Sequence, residues 1–261
     1  MPDAMVKFAA DTAREAGEIL VRRFGTIRSG EAKNTRGDVV TQADLESESH
    51  IIRRIRDAYP DHRILAEESG VLDTGGGECT WIIDPLDGTK NFVQCIPFFC
   101  VSIAAMCGKR GVAGVVYDPI HDDMYYAVEG AGAYLNGSPI RVSGQTDPAL
   151  MIVNLAWSLN EWEGGDFSRY AVRIVDRTDY FRRLGSAALV MSYTADGRLD
   201  ASVSVQLKPW DVAAASLIIR EAGGVVTDFH GSPLDLAQSS VDVVAANPVL
   251  HEKLLKEIFS Q

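Results

Sequence analysis

The sequence predicts a chain in two parts, an α+β half followed by an α/β half, and three observations lead there. Residues 3–143 read as two amphipathic helices, then a series of strands separated by tight turns. From Leu150 onward, strand-like and helix-like stretches alternate. Between them, Ser143 to Pro148 is polar and rich in turn formers. The expected division is a subdomain 1–143 built on an antiparallel sheet and an α/β subdomain 144–261.

The first helix is expected over Asp3–Phe24, where Val6, Ala9, Ala13, Ala16 and Leu20 recur at helical intervals and Gly25 marks the stop. Gly37-Asp38-Val39-Val40-Thr41 reads as a turn and a short extended piece. A second helix follows from Ala43 to Tyr59, with Leu45, Ile51, Ile52 and Ile55 on one face and Pro60 at its end. Arg63–Glu68 reads as a strand ending in two acids, Gly75–Gly77 as a loop, and Thr80–Ile83 as an apolar strand that stops at Asp84. A short helix over Thr89–Gln94 and a buried strand over Phe98–Met106 come next. Val112–Tyr117 and Met124–Val128 form a meander whose turns fall at Gly130, Gly132, Asn136-Gly137 and Pro139. In the second half the pattern gives a strand at Leu150–Ala156, then helices at Asp166–Asp176 and Gly185–Ala195. Beyond them lie a strand at Val203–Leu207 and a helix at Val212–Ala222 closed by Gly223-Gly224. Strands at Val225–Thr227 and Val241–Ala245 and a final helix at Pro248–Phe259 complete the chain.

Composition narrows the function. Of 261 residues, 46% are hydrophobic and 23% charged, which suits a folded chain with a sizeable core. No apolar run approaches the ~18 residues of a membrane span, and the N-terminus lacks the pattern of a signal peptide. The four cysteines, Cys79, Cys95, Cys100 and Cys107, form no C-x-x-C pair and are expected as reduced thiols in a cytoplasmic protein. A net charge of −11 argues against direct nucleic-acid binding.

The chemistry concentrates in Asp84-Pro85-Leu86-Asp87-Gly88-Thr89. A strand delivers Asp84, Pro85 fixes the chain direction, and Gly88 permits the turn that brings Asp87 to the same point. Two carboxylates so close repel unless a cation lies between them. Oxygen ligands without a nearby His or Cys point to Mg²⁺. The helix start at Gly88-Thr89 offers backbone N–H groups to a phosphate. The plainer reading, an N-cap at Asp84 and an Asp-Gly turn, stays open on these residues alone. The three-residue interval between Asp84 and Asp87 differs from the D-x-D of phosphatases that form an aspartyl-phosphate, and speaks against a covalent nucleophile.

Four motifs in order make the pattern specific: Gly37-Asp38-Val39-Val40-Thr41 with Asp44, Ala66-Glu67-Glu68-Ser69-Gly70, Trp81 to Thr89 with Asn91-Phe92 and Pro97-Phe98, and Lys208-Pro209-Trp210-Asp211 with Glu221-Ala222-Gly223-Gly224. Together they resemble the inositol monophosphatase family over nearly the whole chain. The resemblance implies a layered αβαβα sandwich of the sugar phosphatase type and hydrolysis that needs two to three Mg²⁺ ions. It implies metal ligands at Glu67, Asp84, the Leu86 carbonyl, Asp87 and Asp211, so that the first subdomain carries most of them and the second supplies Asp211. Thr89, with Glu67 and Asp44, would activate water. Substrate contacts would come from Asp87, Gly88, Thr89, Gly185, Ser186, Ala187 and Lys33, with Asp38 shaping the turn that aims Asp44. The family also implies lithium sensitivity and a homodimer.

Substrate choice is where the chain departs from the pattern. Ser204 stands seven residues before Asp211, where the family carries a Glu that holds an inositol hydroxyl, and Lys90 follows Gly88-Thr89 where Thr or Ser is usual. Arg182 and Arg183 add positive charge near the pocket. Inositol monophosphate, fructose 1,6-bisphosphate and histidinol phosphate all remain open, and so does a member of the family serving as a binding factor.

Overall fold

Apolar alternation along the strands dictates a stack of layers, and a computed structural model of the chain shows that stack. It describes residues 2–27, 29, 31–32, 39–72, 77–157 and 167–259. Helices α1 (Pro2–Arg23) and α2 (Gln42–Ala58) lie on one face of an eight-stranded sheet. Its order is β10-β9-β8-β7-β6-β5-β3-β4, from β3 (Arg63–Ala66), β4 (Gly70–Leu72), β5 (Cys79–Asp87), β6 (Cys100–Cys107), β7 (Arg110–Asp118), β8 (Asp123–Val128), β9 (Gly132–Leu135) and β10 (Ser138–Pro139). Every pairing is antiparallel except β3 with β5. A small ribbon pairs β1 (Glu31–Ala32) with β2 (Val39–Val40).

The second sheet has five strands in the order β12-β11-β13-β15-β14. They are β11 (Val153–Ala156), β12 (Phe181–Arg182), β13 (Ala201–Leu207), β14 (Val225–Thr227) and β15 (Val241–Ala246). It is mixed: β11 runs parallel to β12 and β13, while β15 opposes both β13 and β14. Between the sheets lie α5 (Ala187–Ala195) and α6 (Pro209–Glu221), and the outer face is covered by α4 (Phe167–Val175) and α7 (Pro248–Leu254). One short helix, α3 (Thr89–Val93), follows β5.

The strand period of two sorts the side chains between layers. On β5, Trp81 and Ile83 point to α1 and α2, and Ile82 points to the middle layer. On β15, Val243 and Ala245 face the middle layer, and Val244 and Ala246 the outer one. A helix between two sheets must be apolar around its circumference, and α6 is: Val212 through Ile219 are all buried. It lies so close to β7 that a Cβ on Gly114 would sit 2.8 Å from the Ala214 carbonyl oxygen. Each large side chain buried in this way contributes about 1.5–3 kcal/mol.

Two expectations are corrected here. Strand β5 does not stop at Asp84 but continues to Asp87, with a register shift between the two acids. Proline argues against a strand interior because it lacks an N–H, yet a bulge removes that objection. The cysteines are not all thiols: Cys79 and Cys107 face each other across the β5–β6 ladder and form a disulfide, leaving Cys95 and Cys100 as thiols. No helix among the described residues is long and apolar enough to cross a membrane.

Candidate active site

The bulge in β5 aims its two acids at one point. Asp84 is only 2% exposed, and its carboxylate accepts the Leu86 N–H at 3.0 Å, which shapes the bulge from within. Asp87 is held by the second half of the chain. It accepts the Ser186 hydroxyl at 2.6 Å and the N–H groups of Ala187 (3.1 Å) and Ala188 (2.7 Å) at the start of α5. That helix end favours a negative charge. Asp211 stands in the first turn of α6, where it accepts the Lys208 N–H at 2.7 Å. Its position serves as a cap and still leaves an oxygen for the cluster.

Carboxylate oxygens of Asp84, Asp87 and Asp211 all lie within 4.8 Å of one another. Glu67, in the turn after β3, reaches hydrogen-bond range of Asp84. Carboxyl groups adopt such contacts only around a shared proton or a cation. Burial first, and then the charges of Glu67, Asp87 and Asp211, hold Asp84 well above the usual carboxylate range. Burial and Asp87 do the same to Asp211. Burial also raises Asp87, although its hydrogen bonds to Ser186, Ala188 and Ala187 oppose the shift. Donors that are all hard oxygens, crowded past what their own charge tolerates, fit a hard divalent cation.

Beside the cluster, α2 and α3 build a second arrangement. Asp44 is fully buried at the start of α2, in a capping box with Thr41: it accepts the Thr41 N–H at 2.8 Å and the Thr41 hydroxyl at 2.6 Å. Its other oxygen lies 3.0 Å from the Thr89 hydroxyl. The Leu86 carbonyl lies 3.1 Å from the same hydroxyl, so the single proton of Thr89 is shared between two acceptors. Gly88 precedes Thr89 at φ 101°, and a Cβ there would meet Phe98, Phe99 and Ser186 at 3.1–3.2 Å. Only glycine suits that turn.

The structure thus brings together Asp44, Glu67, Asp84, Leu86, Asp87, Thr89 and Asp211. It also places Gly185, Ser186 and Ala187 against Asp87, but the Ser186 hydroxyl and Ala187 N–H are already engaged there. Lys33 and Asp38 lie outside the described residues. Lys90 is exposed, and Arg183 stacks over Trp157 at 4.5 Å and donates to its carbonyl. Ser204 is buried in β13 opposite Val243.

Two supporting residues, Glu48 and Ser47, escaped the sequence reading, and a third, Asn91, appeared there only as part of a motif without a role. Glu48, 2% exposed, accepts the Glu68 N–H at 2.8 Å and the Ser69 hydroxyl at 2.5 Å, fixing the turn that carries Glu67. Ser47 donates to the Pro85 carbonyl at 2.9 Å. Asn91 donates to the carbonyls of Phe98 and Leu184, each at 2.8 Å, and so ties α3 to the approach of α5. The signal for the first two was spacing: Asp44, Ser47, Glu48 and Ile51 share one face of α2.

Comparisons with known proteins bear on the family and the fold. The model of the inositol monophosphatase family matches residues 1–260. The Nus factor SuhB of Pasteurella multocida is 41% identical over 259 residues, covering 97% of this chain and 95% of that protein. An inositol-1-monophosphatase of Mesorhizobium japonicum is 37% identical over 257 residues, covering 98% and 96%. Among solved structures, the extragenic suppressor protein suhB of Bartonella henselae superposes with a TM-score of 0.92 at 33% identity, covering 98% of both chains. Carboxylate cluster, layered fold and match along the whole length lead to one conclusion: the chain belongs to the inositol monophosphatase family.

Proposed function

We propose that the protein is a Mg²⁺-dependent phosphomonoesterase that hydrolyses inositol monophosphate or a related small polyol or sugar phosphate. The observation that carries this is the crowding of Asp84, Asp87 and Asp211 beside Glu67, next to a hydroxyl–carboxylate pair. Divalent ions bound there would favour ionisation of water and neutralise charge on the phosphoryl oxygens. They would also offset the net charge of −11 that otherwise repels a phosphate ester.

The chain's own groups supply the rest. Glu67, Asp84, the Leu86 carbonyl, Asp87 and Asp211 would hold two to three ions. Thr89 donates its proton toward Asp44, which leaves its oxygen to accept a proton from water and orient the attack. Backbone N–H groups at Gly88 and Thr89 position the phosphate. Water adds to phosphorus as the ester oxygen departs, and the alcohol leaves with a proton. Asp87 anchors the substrate pocket through Ser186 and α5. In this division of labour residues 1–143 provide most ligands, and 144–261 provide Asp211 and the pocket wall.

Inositol phosphate leads among substrates because the ordered motifs are nearest that branch. Ser204 gives a neutral hydrogen bond where a carboxylate would give a charge-assisted one, which leaves room for fructose 1,6-bisphosphate or histidinol phosphate. A panel of phosphate esters, compared by kcat/KM with Mg²⁺, decides between them, and no Mg²⁺-dependent phosphate release from any would overturn the reading. Changing Asp84 to Asn is expected to abolish turnover while leaving the circular dichroism spectrum unchanged. Li⁺ inhibition and a cytoplasmic location belong to the same reading. So does a homodimer, with Tyr180 and Phe181 exposed at the β12 edge, measurable by light scattering.

A second reading has its own support: the relative from Pasteurella multocida is a Nus factor by name. A binding role without catalysis would leave the Asp84→Asn variant fully functional in the cell.

A further inference from the structure

Behind the carboxylate cluster lies a cavity of about 720 Å³ that no step above uses. It opens between the large sheet, α6 and the loop after β14. Leu65, Ile82, Leu217, Leu234 and Leu236 give it apolar walls. The volume falls within the range of small-molecule sites.

Two polar groups on α6 face this space, one helical turn apart. Ser216 is 2% exposed, and its hydroxyl has no hydrogen-bond partner. Its oxygen is sealed from water, so Ser216 contributes to the wall of the cavity and Arg220 is the polar group that a ligand can reach. The Arg220 side chain has no hydrogen bond or ion pair among the described residues, and its Nη2 lies 3.8 Å from where a Cβ on Gly111 would stand. Burial lowers its proton affinity, against the attraction of Glu221 and Glu129.

The charges around the mouth are balanced, three cations against three acids, and so limit the charge the missing partner can carry. Lys109, Arg110 and Arg220 line the cavity with Glu129, Glu221 and Asp235. All three acids are engaged: Glu129 by Arg110 at 2.6 Å, Glu221 by the N–H groups of Gly130 and Gly132, and Asp235 by the Ala237 N–H. Lys109 and Arg220 are left without a hydrogen-bonded partner among the described residues. A dianion would meet the neighbouring carboxylates, whereas one carboxylate matches the planar fork of Arg220.

We propose that this cavity is a second ligand site, separate from the carboxylate cluster, for a small molecule with an apolar body and a single carboxylate. The carboxylate pairs with Arg220, and the body lies along Leu217 and Leu234.

Octanoate is the probe, titrated calorimetrically into the full chain in EDTA, with 1-octanol and acetate as the body-only and head-only controls. The expected result is saturable one-to-one binding of octanoate, at least tenfold weaker binding of octanol, and none of acetate. Arg220→Gln should weaken octanoate on the order of tenfold and leave octanol unchanged, as loss of one charge-assisted contact requires. Ala237→Trp, which fills the cavity from an exposed loop, should abolish both and covers the case in which Arg220→Gln fails to fold. Absence of saturable binding overturns the proposal. Equal octanoate affinity in both variants does so too, as does displacement of octanoate by Mg²⁺ with inorganic phosphate.

Discussion

Asp84 shows how much one buried carboxyl decides. Its ordinary pKa is near 4, and in the folded chain it lies well above that, as does that of Asp211, while that of Asp87 is raised. A group whose folded pKa is raised holds its stabilisation fully below the unfolded pKa and loses it as pH rises through the folded value. The metal-free protein is therefore expected to lose melting temperature as pH rises from about 4, and added Mg²⁺ to restore more of it at each higher pH. Differential scanning fluorimetry in EDTA and in Mg²⁺ measures both curves, and a metal-free curve that rises with pH would refute the cluster's crowding. Thr89 gives a second test at this scale. Thr89→Val removes the proton acceptor but keeps the shape, so kcat should fall by about 10²–10⁴ with Mg²⁺ affinity unchanged. Thr89→Ser should restore most of the rate, and a Val variant with normal kcat would remove Thr89 from the chemistry.

At the scale of elements, α2 is the device that assembles the site. Its first turn positions Asp44, and its next turn sends Ser47 to the β5 bulge and Glu48 to the Glu67 turn. Outer partners of metal ligands commonly matter by 10–100-fold in affinity. Glu48→Gln, which keeps the shape and weakens the acceptor, is expected to raise the Mg²⁺ dissociation constant by about tenfold, read by calorimetry. Unchanged binding would reduce Glu48 to packing. Asp84 and Asp87 stood out in sequence as a close acidic pair after a strand, but the pair alone left an N-cap and a turn open, and the expected role of Thr89 came only from the ordered motifs of the family. Glu48 was not legible, since a polar residue on an amphipathic helix reads as solvated until the chain that covers it is known. The strand end at Asp84 was misplaced for a local reason: Pro85 breaks the ladder pattern, while the bulge that absorbs it depends on β6.

Across the whole molecule, the alternation of strands and helices gave the two kinds of half, the layered stacking came with the family resemblance, and the cross-links were not legible. Cys79 and Cys107 meet only because β5 and β6 pair in one register. Their separation of 28 residues gives a chain-entropy stabilisation of about 3.5 kcal/mol. Cys107→Ser is expected to lower stability by that order in urea unfolding under non-reducing conditions, and to converge with the parent under dithiothreitol. Identical midpoints without reductant would show the thiols to be unpaired in solution. Asp87 has a reach of a different kind. It belongs to the first 143 residues, yet its carboxylate closes the start of α5, while Asp211 crosses the other way to complete the cluster. The two halves are thus exchanged at the site like clasped hands, and an ion held between them would be a fastener as well as a reagent. Chains cut at 143/144 and mixed should reassociate through the buried core they share and do so more tightly in Mg²⁺ than in chelator, so that an ion held at the seam would add to a union the packing already makes.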